Sequence, residues 1–322
     1  MGVAIFFVLS GYLLFSPWVR DLAAQRGEHP PLRRYAWHRV RRILPAYLLT
    51  VLIVYAVYTV RDDPSDLGHG WSGLLRNLTL TQVYGFGHLH TGLTQMWSLA
   101  AEVVYYVALP LVAWPLATYV CRDRWRPDLL LVVLGGLMLI SPVWTFAVHA
   151  DDVDPTARLW APAFANWFVA GMILAVLARL IRSWPAWPSL GAAVVAFALS
   201  AGGFAGEPTI VPDDPAAAVV KHTLYLIVAV GLVGPLVVDS GSRWSRVCAS
   251  PPMVWFGEIS YEFFLVHVMA LELVMDLLGY SVFTGSTLIA FVVTTAISVP
   301  VAWILHRVTR PVWSGRRRLS RG

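Results

Sequence analysis

Two side chains in this sequence stand where a charge is hard to hold. Glu102 lies in Trp97-Ser98-Leu99-Ala100-Ala101-Glu102-Val103-Val104-Tyr105-Tyr106, and His267 closes Gly257-Glu258-Ile259-Ser260-Tyr261-Glu262-Phe263-Phe264-Leu265-Val266-His267. Both fall inside long apolar runs, where an ionisable group is expensive and marks function by default. A carboxylate there can serve as base, acid or orienting group. An imidazole gains and loses a proton near neutral pH, as acyl transfer to a hydroxyl requires. Each has a plainer reading: Glu102 as a hydrogen-bond clamp between helices, His267 as a packed ring bonded to a nearby carbonyl.

Helical spacing supplies neighbours. Ser98, Glu102, Tyr105 and Tyr106 recur at intervals of three and four, so they share one face. Glu102 is five residues past Trp97, about 7–8 Å down a helix. Ser260 precedes His267 by seven residues, again on one face. Glu262 falls in the first turn of the expected span, where the helix dipole favours a carboxylate, so a structural role is expected. Glu272 and Asp276, four apart, either line a water-filled vestibule or form a polar face toward another helix.

A different chemistry is suggested by Arg33-Arg34-Tyr35-Ala36-Trp37-His38-Arg39-Val40-Arg41-Arg42-Ile43-Leu44-Pro45. Guanidinium groups bind phosphate bidentately, so Arg39, Arg41 and Arg42 could grip a nucleotide-bearing donor. The alternative is a topological signal lying against anionic lipid. Walker-type, GxGxxG, HExxH and GxSxG patterns are missing, which leaves NTP-driven transport, dinucleotide chemistry and the usual hydrolase elbow without support. Cys121 and Cys248 show no metal spacing and read as free thiols; no metal site is expected.

The elements that position these groups follow from composition. Of 322 residues, 57% are hydrophobic and 13% charged, about half the usual charged share. A soluble fold of this size could not hide so much apolar surface. The expected class is all-α, a polytopic transmembrane helix bundle in one membrane-embedded domain over 1–322. About nine spans of roughly 20 residues are expected at 2–19, 43–60, 98–120, 129–149, 160–178, 188–204, 219–238, 259–278 and 284–305. Trp18, Tyr47, Trp97, Trp144, Trp160, Trp187 and Trp255 fall near span ends, as an interfacial aromatic belt does. Twenty of the 24 basic residues occupy alternate loops, and Arg61, Arg76, Arg158 and Lys221 the others. The Arg-rich side is then cytoplasmic, with the C-terminus. The opposite loops are acidic: Asp62, Asp63, Asp66, Asp151, Asp152, Asp154, Glu207, Asp213 and Asp214. A nucleic-acid partner is rejected, because the arginines sit between apolar runs. Asn77-Leu78-Thr79 fits a glycosylation acceptor, with a loop-capping Asn as the favoured reading.

Four segments in this order resemble the acyltransferase 3 family of integral-membrane acyltransferases. They are Gly2-Val3-Ala4-Ile5-Phe6-Phe7-Val8-Leu9-Ser10-Gly11-Tyr12-Leu13, the Arg run closing in Arg42-Ile43-Leu44-Pro45, Trp97-Ser98-Leu99 with Glu102 and Tyr105-Tyr106 ahead of Pro110, and Gly257-Glu258-Ile259-Ser260-Tyr261 with His267. The middle, roughly 125–250, matches only in hydropathy. The resemblance implies a cell-membrane enzyme that takes an acyl group, commonly acetyl, from cytoplasmic acyl-CoA as co-substrate, with no bound cofactor. It passes the group to a hydroxyl of a sugar-containing acceptor: a surface polysaccharide, a lipid-linked glycan or a glycosylated small molecule. By that analogy Glu102 and His267 are catalytic. Arg39, Arg41, Arg42, Trp97, Ser98, Tyr106, Ser260, Tyr261 and Ser10 bind substrate or CoA, and the lipid bilayer is the remaining partner. Family members usually open with one more span carrying a basic residue and, after ten intervening residues, an essential His. Here the Phe-Phe-Val-Leu-Ser-Gly motif begins at residue 6, so the comparison implies that this chain lacks that span. The rival readings are a glycan or lipid transporter and a non-catalytic family member.

Overall fold

The computed structural model describes residues 1–25, 27, 30–61, 67–85, 87–149, 153–206, 209, 212–238, 241–281 and 284–314. Among these the regular structure is entirely helical: α1 (Gly2–Ala23), α2 (Leu32–Tyr58), α3 (Trp71–Leu78), α4 (Trp97–Pro115), α5 (Pro127–Leu137), α6 (Ile140–Ala147), α7 (Ala165–Leu180), α8 (Ala186–Leu199), α9 (Pro215–Val238), α10 (Arg243–Cys248), α11 (Pro251–Leu278) and α12 (Thr287–Ser314), with short 3₁₀ turns between some of them. Asp62, Asp63, Asp66, Asp151, Asp152 and Glu207 of the acidic loops lie outside the described residues, as do Arg26 and the tail arginines from Arg316 on.

Seven helical segments among the described residues are long and apolar enough to cross a bilayer. The two other expected spans are also helical, with differences that have causes. Residues 188–204 give only the 14-residue α8, about 21 Å long against a hydrocarbon core of ~30 Å. Residues 259–278 belong to a helix that starts eight residues earlier, at Pro251, and carries Glu258, Glu262, Glu272 and Asp276. The span at 129–149 divides into α5 and α6 around Met138 and Leu139. Large apolar side chains lie open on the outer faces, among them Leu13, Leu111, Val132, Val143 and Phe291. Water would penalise that arrangement and lipid does not.

The chain divides into two compact units: residues 1–31 with 100–250, and residues 32–99 with 251–322. In the first, α1 packs on α7 through glycine. A Cβ on Gly11 would stand 2.0 Å from the Phe168 carbonyl oxygen, and one on Gly171 would stand 2.0 Å from that of Val8. Only hydrogen fits at either point. Helices in lipid gain little from apolar burial and associate through such close backbone approach. A second small-residue seam joins α8 to α9, where Ala193, Ala196 and Val228 are buried together. In the second unit α2, α11 and α12 pack around buried Tyr47, Val51, Ile259, Leu265 and Ser298. Asn77 is fully buried there, its amide donating to the carbonyls of Gly73 at 2.9 Å and His88 at 3.1 Å. That is the capping role, and it leaves no room for a glycan.

Candidate functional site

In the first unit the polar centre is Glu102, 1% exposed. Ser10 of α1 donates to its Oε1 at 2.8 Å, and the Tyr106 hydroxyl donates to the same oxygen from one turn along α4. The sequence placed Tyr106 correctly by helical spacing. That Ser10 would meet Glu102 was not legible, because 92 residues separate them. Tyr105, buried, turns instead to the carbonyl of Ala161. Its ring stacks on Phe168 at 4.6 Å and meets Phe7 edge-on at 5.4 Å. The carboxylate is thus held by two hydroxyls, and the neighbouring Tyr105 ring fixes α4 against α1 and α7.

The second unit holds His267 near the middle of α11, half-buried. Its Nδ1 lies 2.8 Å from the Phe264 carbonyl oxygen. A carbonyl only accepts, so Nδ1 carries the proton and Nε2 the lone pair. Gln95, which sequence reading overlooked, donates to the carbonyls of Leu265 at 2.9 Å and Phe264 at 3.4 Å, pinning residues 91–96 to this part of α11. Trp97 is buried, and the Ser98 hydroxyl closes back on the Gln95 carbonyl. Ser260 faces outward, its hydroxyl bonded to the Gly257 carbonyl of its own helix.

Toward the start of α11 a cavity of about 320 Å³ gathers Arg42, Glu258, Tyr261, Glu262, His306 and Arg310. Tyr261 donates to the Ile43 carbonyl at 3.0 Å, tying α11 to the end of the arginine run. Glu262 is not at a helix end: α11 begins eleven residues before it, so the dipole argument fails. It faces His306 across the interior instead, with Nδ1 and Oε1 3.1 Å apart and both residues buried. The arginine run also divides. Arg42 lines the cavity, whereas Arg41 donates through Nε and Nη2 to the Val312 carbonyl, at 3.0 and 2.6 Å, and joins α2 to α12. Arg39 is partly buried and does not line the cavity. His306 and Arg310 had no sequence signal beyond lying at the end of the last apolar run.

At the far end of α11, Arg61 bonds Glu272 at 3.2 Å and Asp276 at 2.7 Å, and the Tyr58 hydroxyl donates to Glu272. These carboxylates form an ion-paired face toward α2, the second of the two readings open for them. Cys121 and Cys248 are free. Burial pushes both thiols up, so neither is an activated nucleophile.

Apolar helices of bilayer length, lipid-facing side chains and ionisable groups confined to helix–helix faces define a multi-pass membrane protein. Its lineage is specific: the acyltransferase-domain model of the acyltransferase 3 family matches residues 1–307, and the chain belongs to that family. It is 27% identical over 308 residues to the peptidoglycan O-acetyltransferase OatA of Listeria monocytogenes, covering 86% of this chain and 46% of the relative. It is 26% identical over 302 residues to the acyltransferase MdmB of Streptomyces mycarofaciens, covering 87% and 70%. The chain thus spans less than half the length of the Listeria protein. No solved structure matches it.

Proposed function

We propose that this protein is a membrane O-acyltransferase that moves an acyl group, acetyl in the first instance, from acyl-CoA to a hydroxyl of a sugar-containing acceptor. The observation that carries the reading is the cavity of the second unit. It brings Arg42 and Tyr261, both expected to bind substrate or CoA, together with Arg310. Two guanidinium groups suit the phosphates of a nucleotide-bearing thioester. The relatives' names support the acetyl group and a glycan acceptor.

In the reaction the acceptor hydroxyl oxygen attacks the thioester carbonyl, the C–S bond breaks, and the hydroxyl proton must leave as the thiolate takes one up. An imidazole with its proton fixed on Nδ1 offers Nε2 for that exchange, the role we assign to His267. Glu102, whose Oε1 already accepts two hydroxyls, orients an acceptor or its neighbours. The basic loops support a cytoplasmic Arg-rich side and C-terminus in a plasma-membrane protein. The test is transfer of label from radioactive acetyl-CoA to an N-acetylglucosamine oligomer by the purified chain. Label in the oligomer, lost in His267→Gln, supports the reading. Movement of the oligomer across vesicles without consumption of acetyl-CoA would establish the transporter reading in its place.

A further inference from the structure

The glycine crossing of α1 and α7 has a second effect at their ends. Three contacts give the helices' relative direction: Phe7 meets Phe164 with ring centroids 6.3 Å apart, Gly11 meets Phe168 and Gly171, and Arg20 shares a cavity with Arg179. The residue numbers rise together, so the helices run parallel. They touch backbone to backbone near the middle of α1, and two straight rods crossing there must diverge toward their ends.

At the C-terminal end the divergence leaves a cavity of about 580 Å³, lined by Pro17, Arg20, Asp21, Ala23, Ala24 and Arg179. That lies within the ~300–1,000 Å³ typical of small-ligand sites. Arg20 is nine residues beyond Gly11 and Arg179 eight beyond Gly171, so both lie about 12–14 Å along the helices from the crossing. Both arginines are exposed and belong to the Arg-rich set, so they fall at the expected cytoplasmic ends of their spans. No hydrogen bond or ion pair joins the side chains of Arg20, Asp21 and Arg179 to another described residue. Among the described lining residues, two positive charges and one negative leave a single excess positive charge.

From this we infer that the cavity between the ends of α1 and α7 is a binding site for the phosphate of an acidic phospholipid headgroup. Arginine is the side chain suited to bidentate phosphate contact, and basic cavities between membrane helices hold anionic headgroups. One excess charge balances a phosphodiester with its single negative charge better than inorganic phosphate with nearly two. The inference stands on the first unit alone and is independent of the proposed transferase activity.

The full chain in detergent is titrated with phosphatidylglycerol, phosphatidylcholine or inorganic phosphate, and bound molecules are counted by native mass spectrometry. A tightly held phosphatidylglycerol is expected. Its apparent Kd should weaken about tenfold for each arginine replaced in Arg20→Gln and Arg179→Gln. Arg182→Gln, which removes the same charge outside the cavity, should change nothing. Arg20→Lys with Arg179→Lys retains the charge and should recover part of the affinity, which separates lost binding from lost folding. Equal retention of phosphatidylglycerol and phosphatidylcholine would overturn the inference, as would the same loss in Arg182→Gln. Saturation by millimolar phosphate with no lipid preference would assign the cavity to a soluble anion and refute the lipid headgroup.

Discussion

Replacement of Glu102 by Gln separates the two roles the sequence leaves open for it. The amide keeps an acceptor oxygen where Oε1 now takes the hydroxyls of Ser10 and Tyr106. The bonds survive but lose their charge assistance. A hydrogen bond to a charged group is worth ~1.5–3 kcal/mol and a neutral one ~0.5–1.5, so each bond weakens by ~1 kcal/mol. Because they share one oxygen, the combined loss is nearer ~1 kcal/mol than the full sum of ~2. A pure clamp therefore predicts a fall in Tm of a few degrees and a rate reduced by less than about tenfold, as a ~1 kcal/mol change implies. A group that moves a proton or holds the reacting hydroxyl predicts a kcat lower by about 10²–10⁴ with Tm changed by no more than the clamp loss. The assay is acetyl-CoA turnover beside thermal unfolding of the same preparation. Ser10→Ala supplies the control, since it breaks one arm of the clamp and leaves the carboxylate. If Glu102→Gln and Ser10→Ala lower the rate equally, the carboxylate acts only through its clamp and the functional assignment falls.

Arg42→Gln and Arg310→Gln should each raise the KM for acetyl-CoA about tenfold with kcat little changed, measured by initial rates. Arg41→Gln should instead lower Tm and spare KM, because its guanidinium holds the Val312 carbonyl. Glu262→Gln or His306→Gln alone should destabilise by ~1–3 kcal/mol by disturbing a buried pair, and the double replacement should cost less than the two losses combined; unfolding midpoints decide. Gly171→Ala should destabilise by ~1–3 kcal/mol or more, since its Cβ meets the Val8 carbonyl, whereas Gly135→Ala, with open space around it, should be neutral or stabilising in the same assay.

The helices were legible because hydropathy is a local property that the bilayer reads residue by residue. Every expected span has a helix in it. Boundaries were less legible. Proline and charge bias a sequence away from the membrane without ending a helix, so α2 begins at Leu32 and α11 at Pro251, both ahead of their apolar runs. The pairing of helices was not legible at all. Gly11 and Gly171 are two glycines among 24, and only the fold shows that each admits the other helix's backbone. The family's own motif, Phe-Phe-Val-Leu-Ser-Gly, is explained by that contact: its Ser10 reaches Glu102, and its Gly11 lets α7 close enough for Phe7 to pack on Trp167.

Glu262 shows why the candidate site was only half visible. Local reasoning assigns a carboxylate near an expected helix start to the helix dipole, because the dipole is the one partner a linear sequence displays. The structure supplies a stronger partner 44 residues away in His306. A buried carboxylate that finds such a partner is held by it rather than by the dipole. Arg41 and Arg42 make the same case from the other side. They are adjacent, identical in type and equally suited to phosphate, yet a helix turns consecutive residues by about 100°. Arg41 is thereby used on Val312 of α12 and Arg42 is left facing the cavity. A run of arginines defines a charge; the rotation of the helix that carries it decides which guanidinium groups are structural ties and which remain available to a ligand.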